Sequence, residues 1–180
     1  MSTLFVNNLN TASGSTITVP TGKKLAVTDT GGLTAPGMVI QTVQTINRTT
    51  VSTSSSTYAE ASTNFRCSIT PKFSTSKLLI TATIGISGFN NGGNDLQCWT
   101  KLYDVSNSAD ISFSESPYRN IDYGGSGTGF STSQPTIILQ NFPNANEITI
   151  TWYYRMSAGV GIAANDDHRL TQIMLQEIAQ

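Results

Sequence analysis

The chain has 180 residues, of which 38% are hydrophobic and only 12% charged, and its net charge at pH 7 is -1. That length suits one compact domain plus an extension, and the charged share is about half the ordinary ~25%. The near-neutral balance excludes a basic field for nucleic acid or an anionic membrane, and no apolar run approaches the ~20 residues of a bilayer-spanning helix.

Residues 1–36 alternate short apolar groups with turn residues. Leu4, Phe5, Val6 and Leu9 come first, then Ile17 and Val19, Leu25 and Val27, and Leu33. Gly14, Pro20, Gly22, Gly31, Gly32 and Pro36 separate them. No window has helical length or period, and each apolar group makes one short strand. Burial of so few side chains within one copy does not offset the entropy lost in ordering that backbone. The segment becomes stable when identical copies wrap together around a shared core, which points to an intertwined homo-oligomer and hence to a stalk or fibre. Its tight turns call for Gly where φ is positive, and Pro20 and Pro36 fit edges and corners.

The chain divides near Ala35-Pro36-Gly37, into an attachment segment 1–36 and a head 37–180. Met38–Val43 reads as a strand leading out of the stalk. Polar Thr45–Ser56 follows, with Ser52–Thr57 as an exposed turn or edge. Phe65–Thr70 alternates and stops at Pro71, as a strand end does. Leu78–Ser87 is the clearest strand, with Leu78, Ile80, Ala82, Ile84 and Ile86 on one face by the two-residue period. Gln97–Val105, Ile111–Ser114, Thr136–Phe142 and Glu147–Met156 are further strands. Leu170–Ala179 closes the chain as a strand, with a short helix as the lesser alternative. Seven or eight strands with no convincing helix predict an all-β fold: an antiparallel β-sandwich or jelly roll behind a β-stalk. Asn90–Asp95 reads as a tight loop. Ser116–Pro135, carrying Tyr118, Tyr123 and Phe130 around Gly124–Gly129, reads as one long loop of the kind that serves a function.

Little in the sequence points to chemistry. Gly125, Gly127 and Gly129 suggest a phosphate loop, but Ser131–Pro135 is no helix start, and that site needs a helix N-terminus. Asn165–Arg169 gathers two carboxylates beside His168, the only histidine; with no second histidine it reads as a solvated turn. Asn90–Asp95 lacks the carboxylate density of a calcium loop. Glu115, Asp122, Asp166 and Asp167 are the only loose candidates for a glycosidase pair, and there is no GxSxG. Cys67 and Cys98 read as small buried hydrophobes with free thiols. The expectation is therefore no enzyme, no metal and no cofactor. Aromatics are the better lead. Trp99 and Tyr103 share one face of a strand, and Trp152-Tyr153-Tyr154 must face both sides of theirs. Core packing is the ordinary role of such residues, whereas Tyr118, Tyr123 and Phe130 are read as possible surface contacts.

The segment from Ile17-Thr18-Val19-Pro20-Thr21-Gly22-Lys23-Lys24-Leu25 through Asp29-Thr30-Gly31 to Ala35-Pro36-Gly37 resembles the N-terminal part of virion fibre-like proteins of marine tailed phages, cyanophages included. Ser68-Ile69-Thr70-Pro71, Ser74–Ile80 and the C-terminal Met174–Ile178 are similar to the β-rich heads that follow such stalks. The resemblance implies a virion structural role, a trimeric stalk and a surface-exposed head. On that footing Leu4, Val6, Ile17, Val19, Leu25, Val27 and Leu33 are expected to face a homotrimer axis. The expected partners are the chain itself, other virion proteins of capsid or tail, and a host-surface glycan or receptor. The N-terminus has no basic flank or apolar core of a signal peptide, so synthesis in a cytoplasm and use in the virion are expected. The alternatives are a capsid decoration or cement protein without a ligand, and an oligomeric carbohydrate-binding module.

Overall fold

The computed structural model describes residues 19–26, 33–90, 96–111, 116–120, 128–142, 146–156, 162–164 and 171–180. The chain forms two compact units, Met1–Leu33 and Thr34–Gln180. In the first, Pro20–Lys23 makes a turn closed by Lys23 N donating to Pro20 O at 3.0 Å, with Gly22 at φ +79°. That positive φ belongs to the third residue of a type II turn and calls for glycine. Ala35-Pro36-Gly37-Met38, at the start of the second unit, repeats the device. Met38 N donates to Ala35 O at 3.0 Å, Pro36 fixes the second position, and Gly37 sits at φ +83°.

The second unit is built from strands. β1 (Val39–Asn47), β2 (Val51–Thr53), β3 (Ala59–Glu60) and β4 (Cys67–Ile69) come first, then β5 (Lys77–Asn90) and β6 (Leu96–Asp104). β7 (Ala109–Asp110), β8 (Ser116–Asn120), β9 (Thr128–Asn141), β10 (Ile148–Met156), β11 (Ile162–Ala164) and β12 (Thr171–Ile178) complete it. Several short strands run on from one another along a single partner, so each antiparallel sheet has four rows. The first sheet runs β1/β2, β12/β11, β5, β9. The second runs β3/β4, β10, β6, β7/β8. Numbered along the chain, the rows lie 1-8-3-6 in one sheet and 2-7-4-5 in the other. That alternation between sheets is the eight-row jelly roll.

The period-two rule explains which residues enter the core. Leu78, Ile80, Ala82, Ile84 and Ile86 of β5 are all buried, as their alternation predicts. Ile173 and Leu175 of β12 join them from the same sheet, and Ile148, Ile150, Trp152, Tyr154 and Met156 of β10 face them from the other. The Trp152-Tyr153-Tyr154 run divides as expected: Trp152 and Tyr154 point inward, and Tyr153 stands half-exposed on the outer face.

Two readings are corrected. Ser116–Pro135 is not one long loop, because β8 takes Ser116–Asn120 in the second sheet and β9 begins at Thr128 in the first. Tyr118 therefore lies in a strand opposite Cys98, and Phe130 in a strand opposite Gly88. The stretch Thr128–Gln134 shows no apolar alternation. What makes it a strand is a ladder with β5 that runs unbroken from Lys77↔Asn141 to Asn90↔Thr128, and main-chain pairing needs no particular side chain. Asn90 likewise ends β5 and is not part of a loop. Residues 91–95, 121–127 (Tyr123 among them) and 165–170 lie outside the described residues, as do Leu4, Val6, Ile17 and Val27.

Both cysteines are buried and free. Cys67 pairs opposite Ile150 and Cys98 opposite Met156, on the two flanks of β10. They are thus two strand spacings apart, about 9.6 Å, and six residues offset, about 20 Å. A disulfide, which needs Cα atoms within about 7 Å, is out of reach.

Candidate functional site

The two outer faces of the sandwich differ sharply in chemistry. On the first sheet, each of the four rows places four residues outward in register. The rows across the sheet are Val39-Ile178-Lys77-Asn141, Thr42-Gln176-Leu79-Leu139, Gln44-Met174-Thr81-Ile137 and Ile46-Gln172-Thr83-Pro135. Lys77 is the only charged residue among these sixteen. An ordinary protein surface is about 25–35% charged. Polar members bond to one another: Gln44 Nε2 donates to Gln172 Oε1 at 3.1 Å, and Gln176 Nε2 to Thr42 Oγ1 at 3.3 Å. Along the β9 row, Ile137 is 70% exposed and Leu139 55%. Among the described residues β9 pairs only with β5, so these two apolar side chains stand on an open sheet edge.

On the second sheet the outward positions are aromatic and charged. β10 presents Tyr153 and Arg155, β6 presents Trp99, Lys101 and Tyr103, and the register sets Arg155 beside Trp99 and Tyr153 beside Lys101. Glu60 of β3 flanks Tyr153 on its other side. Tyr103 and Tyr153 stack with ring centroids 4.3 Å apart. The Arg155 guanidinium lies 4.1 Å from the Trp99 ring centroid and 5.0 Å from that of Tyr58, while Lys101 Nζ lies 4.3 Å from Tyr58. Two ion pairs frame the group. Arg66 grips Glu60 in a fork, Nε to Oε1 at 2.7 Å and Nη2 to Oε2 at 2.8 Å, and Lys101 Nζ meets Asp110 Oδ1 at 2.6 Å. The Arg66 hydrogen bond outweighs burial and holds the Glu60 carboxyl below its usual range, and Glu60 in turn raises Arg66. Burial first, then the neighbouring Glu60 and Tyr103, pushes the Tyr153 phenol up.

A third feature sits at the end of the sandwich. Glu177 occupies an inward position of β12 and is fully buried. Its carboxylate accepts from Lys72 N at 2.9 Å to both oxygens, from Phe73 N at 3.0 Å, and from Gln41 Nε2 at 2.7 Å. Burial alone would raise its pKa, but the Lys72, Phe73 and Gln41 donors and the nearby Ser76 hydroxyl outweigh it and hold the carboxyl below its usual value. Ser76 Oγ, although close enough to contribute, has no partner of hydrogen-bond geometry. The site latches the turn between β4 and β5 onto β12 and β1. The β4–β5 turn is one of the places where the chain crosses between sheets.

Of the residues expected to face a trimer axis, Val19, Leu25 and Leu33 are described, and they are exposed at 44%, 63% and 52%. The aromatic group on the second sheet was only half legible, because the sequence pairs Trp99 with Tyr103 but does not bring Tyr58, Tyr153 or Arg155 to them. The strand that follows the glycine-rich stretch supplies no helix N-terminus for phosphate. Among the described residues no three His, Cys, Asp or Glu side chains gather to hold a metal. A small cleft of about 110 Å³, lined by Thr34, Phe73, Thr75, Ser76, Ala179 and Gln180, lies beside the β4–β5 turn.

No family model matches the chain, and no curated protein matches it. Among solved structures, Eiger TNF from S. frugiperda is similar at a TM-score of 0.46 and 8% identity, over 81% of this chain and 95% of that one.

Proposed function

We propose that the protein is a non-enzymatic virion structural protein, in which the jelly roll is the head of a short homotrimeric fibre or knob. Residues 1–36 form the shared stalk that attaches it to tail or capsid, and the head meets the host surface or neighbouring virion proteins. The observation that carries this reading is the nearly uncharged outer face of the first sheet, bordered by the apolar edge at Ile137 and Leu139. A face with one charge in sixteen positions suits contact with another protein surface better than contact with water, and an unprotected apolar edge strand invites pairing. Packing the β9 edge of one copy on the neighbour's nearly uncharged face is a heterologous contact, which gives a ring where the rotation between copies closes. The exposure of Val19, Leu25 and Leu33 in a single copy, and the resemblance of residues 17–37 to phage fibre stalks, support the same arrangement.

The test is the mass of the full chain in solution by light scattering. The expected value is three times the 19.2 kDa chain, and a trimer that combines Ile137→Lys with Leu139→Lys, held by the stalk alone, is expected to dissociate more readily on dilution. A monodisperse monomer for the unmodified chain refutes the proposal.

A further inference from the structure

The outer face of the second sheet lies away from the proposed contact between copies, and the charges of its described residues do not cancel. Arg66 is matched by Glu60 and Lys101 by Asp110. Among the described residues Arg155 has no carboxylate. Its guanidinium is held between the rings of Trp99 and Tyr58. Stacking of this kind fixes the plane of the group and leaves its N–H edge as a fork for a bidentate anion. Along β6, Trp99 to Tyr103 spans four residue steps, about 13 Å at ~3.3 Å each, and the stacked Tyr103–Tyr153 pair extends the aromatic surface across to β10. Every ring of the group is half-exposed.

We infer that this face binds an acidic saccharide, a chain of sugar rings bearing carboxylates. The C–H groups of the sugars meet the half-exposed parts of the Trp99, Tyr58, Tyr103 and Tyr153 rings that these stacks leave uncovered, and a carboxylate takes the open edge of Arg155. Charge balance selects this occupant. A neutral glycan uses the rings but brings no counter-charge to Arg155, and a simple anion uses Arg155 but makes no contact with the exposed parts of the rings. Charge-assisted, bidentate contact gives orientation, and ring stacking gives area, so each copy binds weakly and an array of copies binds well. The inference adds a ligand class to the host-surface contact proposed above, but it requires only that this face be open, not that the protein be trimeric.

The experiment is a titration of the full chain with hexagalacturonate, and with maltohexaose as the neutral comparison, read by tryptophan fluorescence. Trp152 is wholly buried and Trp99 half-exposed, so a ligand on this face reports through Trp99. The expected result is saturable binding of hexagalacturonate that weakens with added salt. Maltohexaose is expected to bind at least about tenfold more weakly, and Arg155→Gln to weaken hexagalacturonate by about tenfold, the effect of ~1.4 kcal/mol. Tyr103→Leu, on the opposite end of the platform, is expected to weaken both sugars. Absence of saturable binding, equal binding of the two sugars, or an Arg155→Gln protein that binds hexagalacturonate unchanged overturns the inference. The mass of the same sample separates it from the oligomer proposal. A monomer that binds the acidic sugar refutes only the trimer, and a trimer that binds neither sugar refutes only the saccharide site. Binding of a virion protein that Arg155→Gln abolishes, with no sugar binding, would assign the face to protein docking instead.

Discussion

Replacing Glu177 by Gln removes one charge and almost no volume, so its effect isolates the carboxylate's role. Three donors converge on it: the main-chain N–H groups of Lys72 and Phe73 and the side-chain amide of Gln41. Hydrogen bonds to a charged group contribute about 1.5–3 kcal/mol each, and neutral ones about 1 kcal/mol. The amide keeps one acceptor oxygen for the turn but turns an NH2 group toward another donor. Loss of charge assistance on the two backbone bonds and weakening of the third give an expected destabilisation of about 2–3 kcal/mol. Urea unfolding at pH 7 and fixed protein concentration measures it, since any oligomer couples stability to concentration. Hydrogen exchange should show the Lys72 and Phe73 amides losing protection ahead of the β5–β12 ladder. The pH dependence adds a second constraint. The folded pKa of Glu177 lies below its ordinary value. Its contribution is therefore complete above the unfolded carboxyl pKa of ~4.3 and is lost as pH falls through the lower folded value. The gap between wild type and Glu177→Gln should close over that window, because a protonated glutamate resembles the amide. A variant within 0.5 kcal/mol, roughly the size of an ordinary surface substitution, or a gap that persists at acid pH, would refute the latch.

Two further outcomes follow from local geometry. Ser108 sits at φ +51° in the turn after β6, where a non-glycine residue is strained by roughly 1–2 kcal/mol. Glycine removes that strain but loses some chain entropy, so Ser108→Gly should raise stability by up to about 1 kcal/mol, and a lowered melting temperature contradicts this. Burial pushes the Cys98 thiol up to about 12 and raises that of Cys67. Neither should react with a thiol reagent at pH 8 in the native protein, both should react in denaturant, and rapid native labelling of either would show that the second sheet opens.

Much of the architecture is legible in residue order because alternation carries it. β5 announces itself through Leu78, Ile80, Ala82, Ile84 and Ile86, and β10 through a run of aromatics that cannot all face one way. Where alternation fails, legibility fails with it. β9 begins in a stretch of Gly, Ser and Thr that reads as loop, and only its partner β5, some fifty residues earlier, makes it a strand. The two-residue β3 has no pattern at all, yet it delivers Glu60 to the outer face of the second sheet. The candidate binding face is hidden for the same reason. Arg155 and Trp99 are neighbours through the β6–β10 register, and no local spacing encodes a register between distant strands. Glu177 did leave a signal. It falls on the inward parity of β12 with Ile173 and Leu175, and an acid at such a position needs donors brought to it from elsewhere.

The asymmetry between the two outer faces bears on the oligomer more than either face does alone. A chain poor in charge could spread its few ionic groups evenly, which would serve solubility best. Instead, among the described residues, Glu60, Arg66, Lys101, Asp110 and Arg155 gather on or beside the second sheet, and of the sixteen matched outer positions of the first sheet only Lys77 is charged. A monomer built this way would leave Leu139, Ile137, Met174 and Ile178 on one neutral surface next to an unpaired strand edge, the combination that drives sheets to aggregate. The proposed ring of copies would cover that side on every subunit while leaving each charged, aromatic face outward. Charging the first sheet should then weaken the proposed contact between heads without unfolding the jelly roll, because the core lies on the other side of the same strands. If instead the Ile137→Lys, Leu139→Lys protein dissociates on dilution no more readily than the native chain, the neutral face is not the contact, and the reason for its composition must be sought elsewhere.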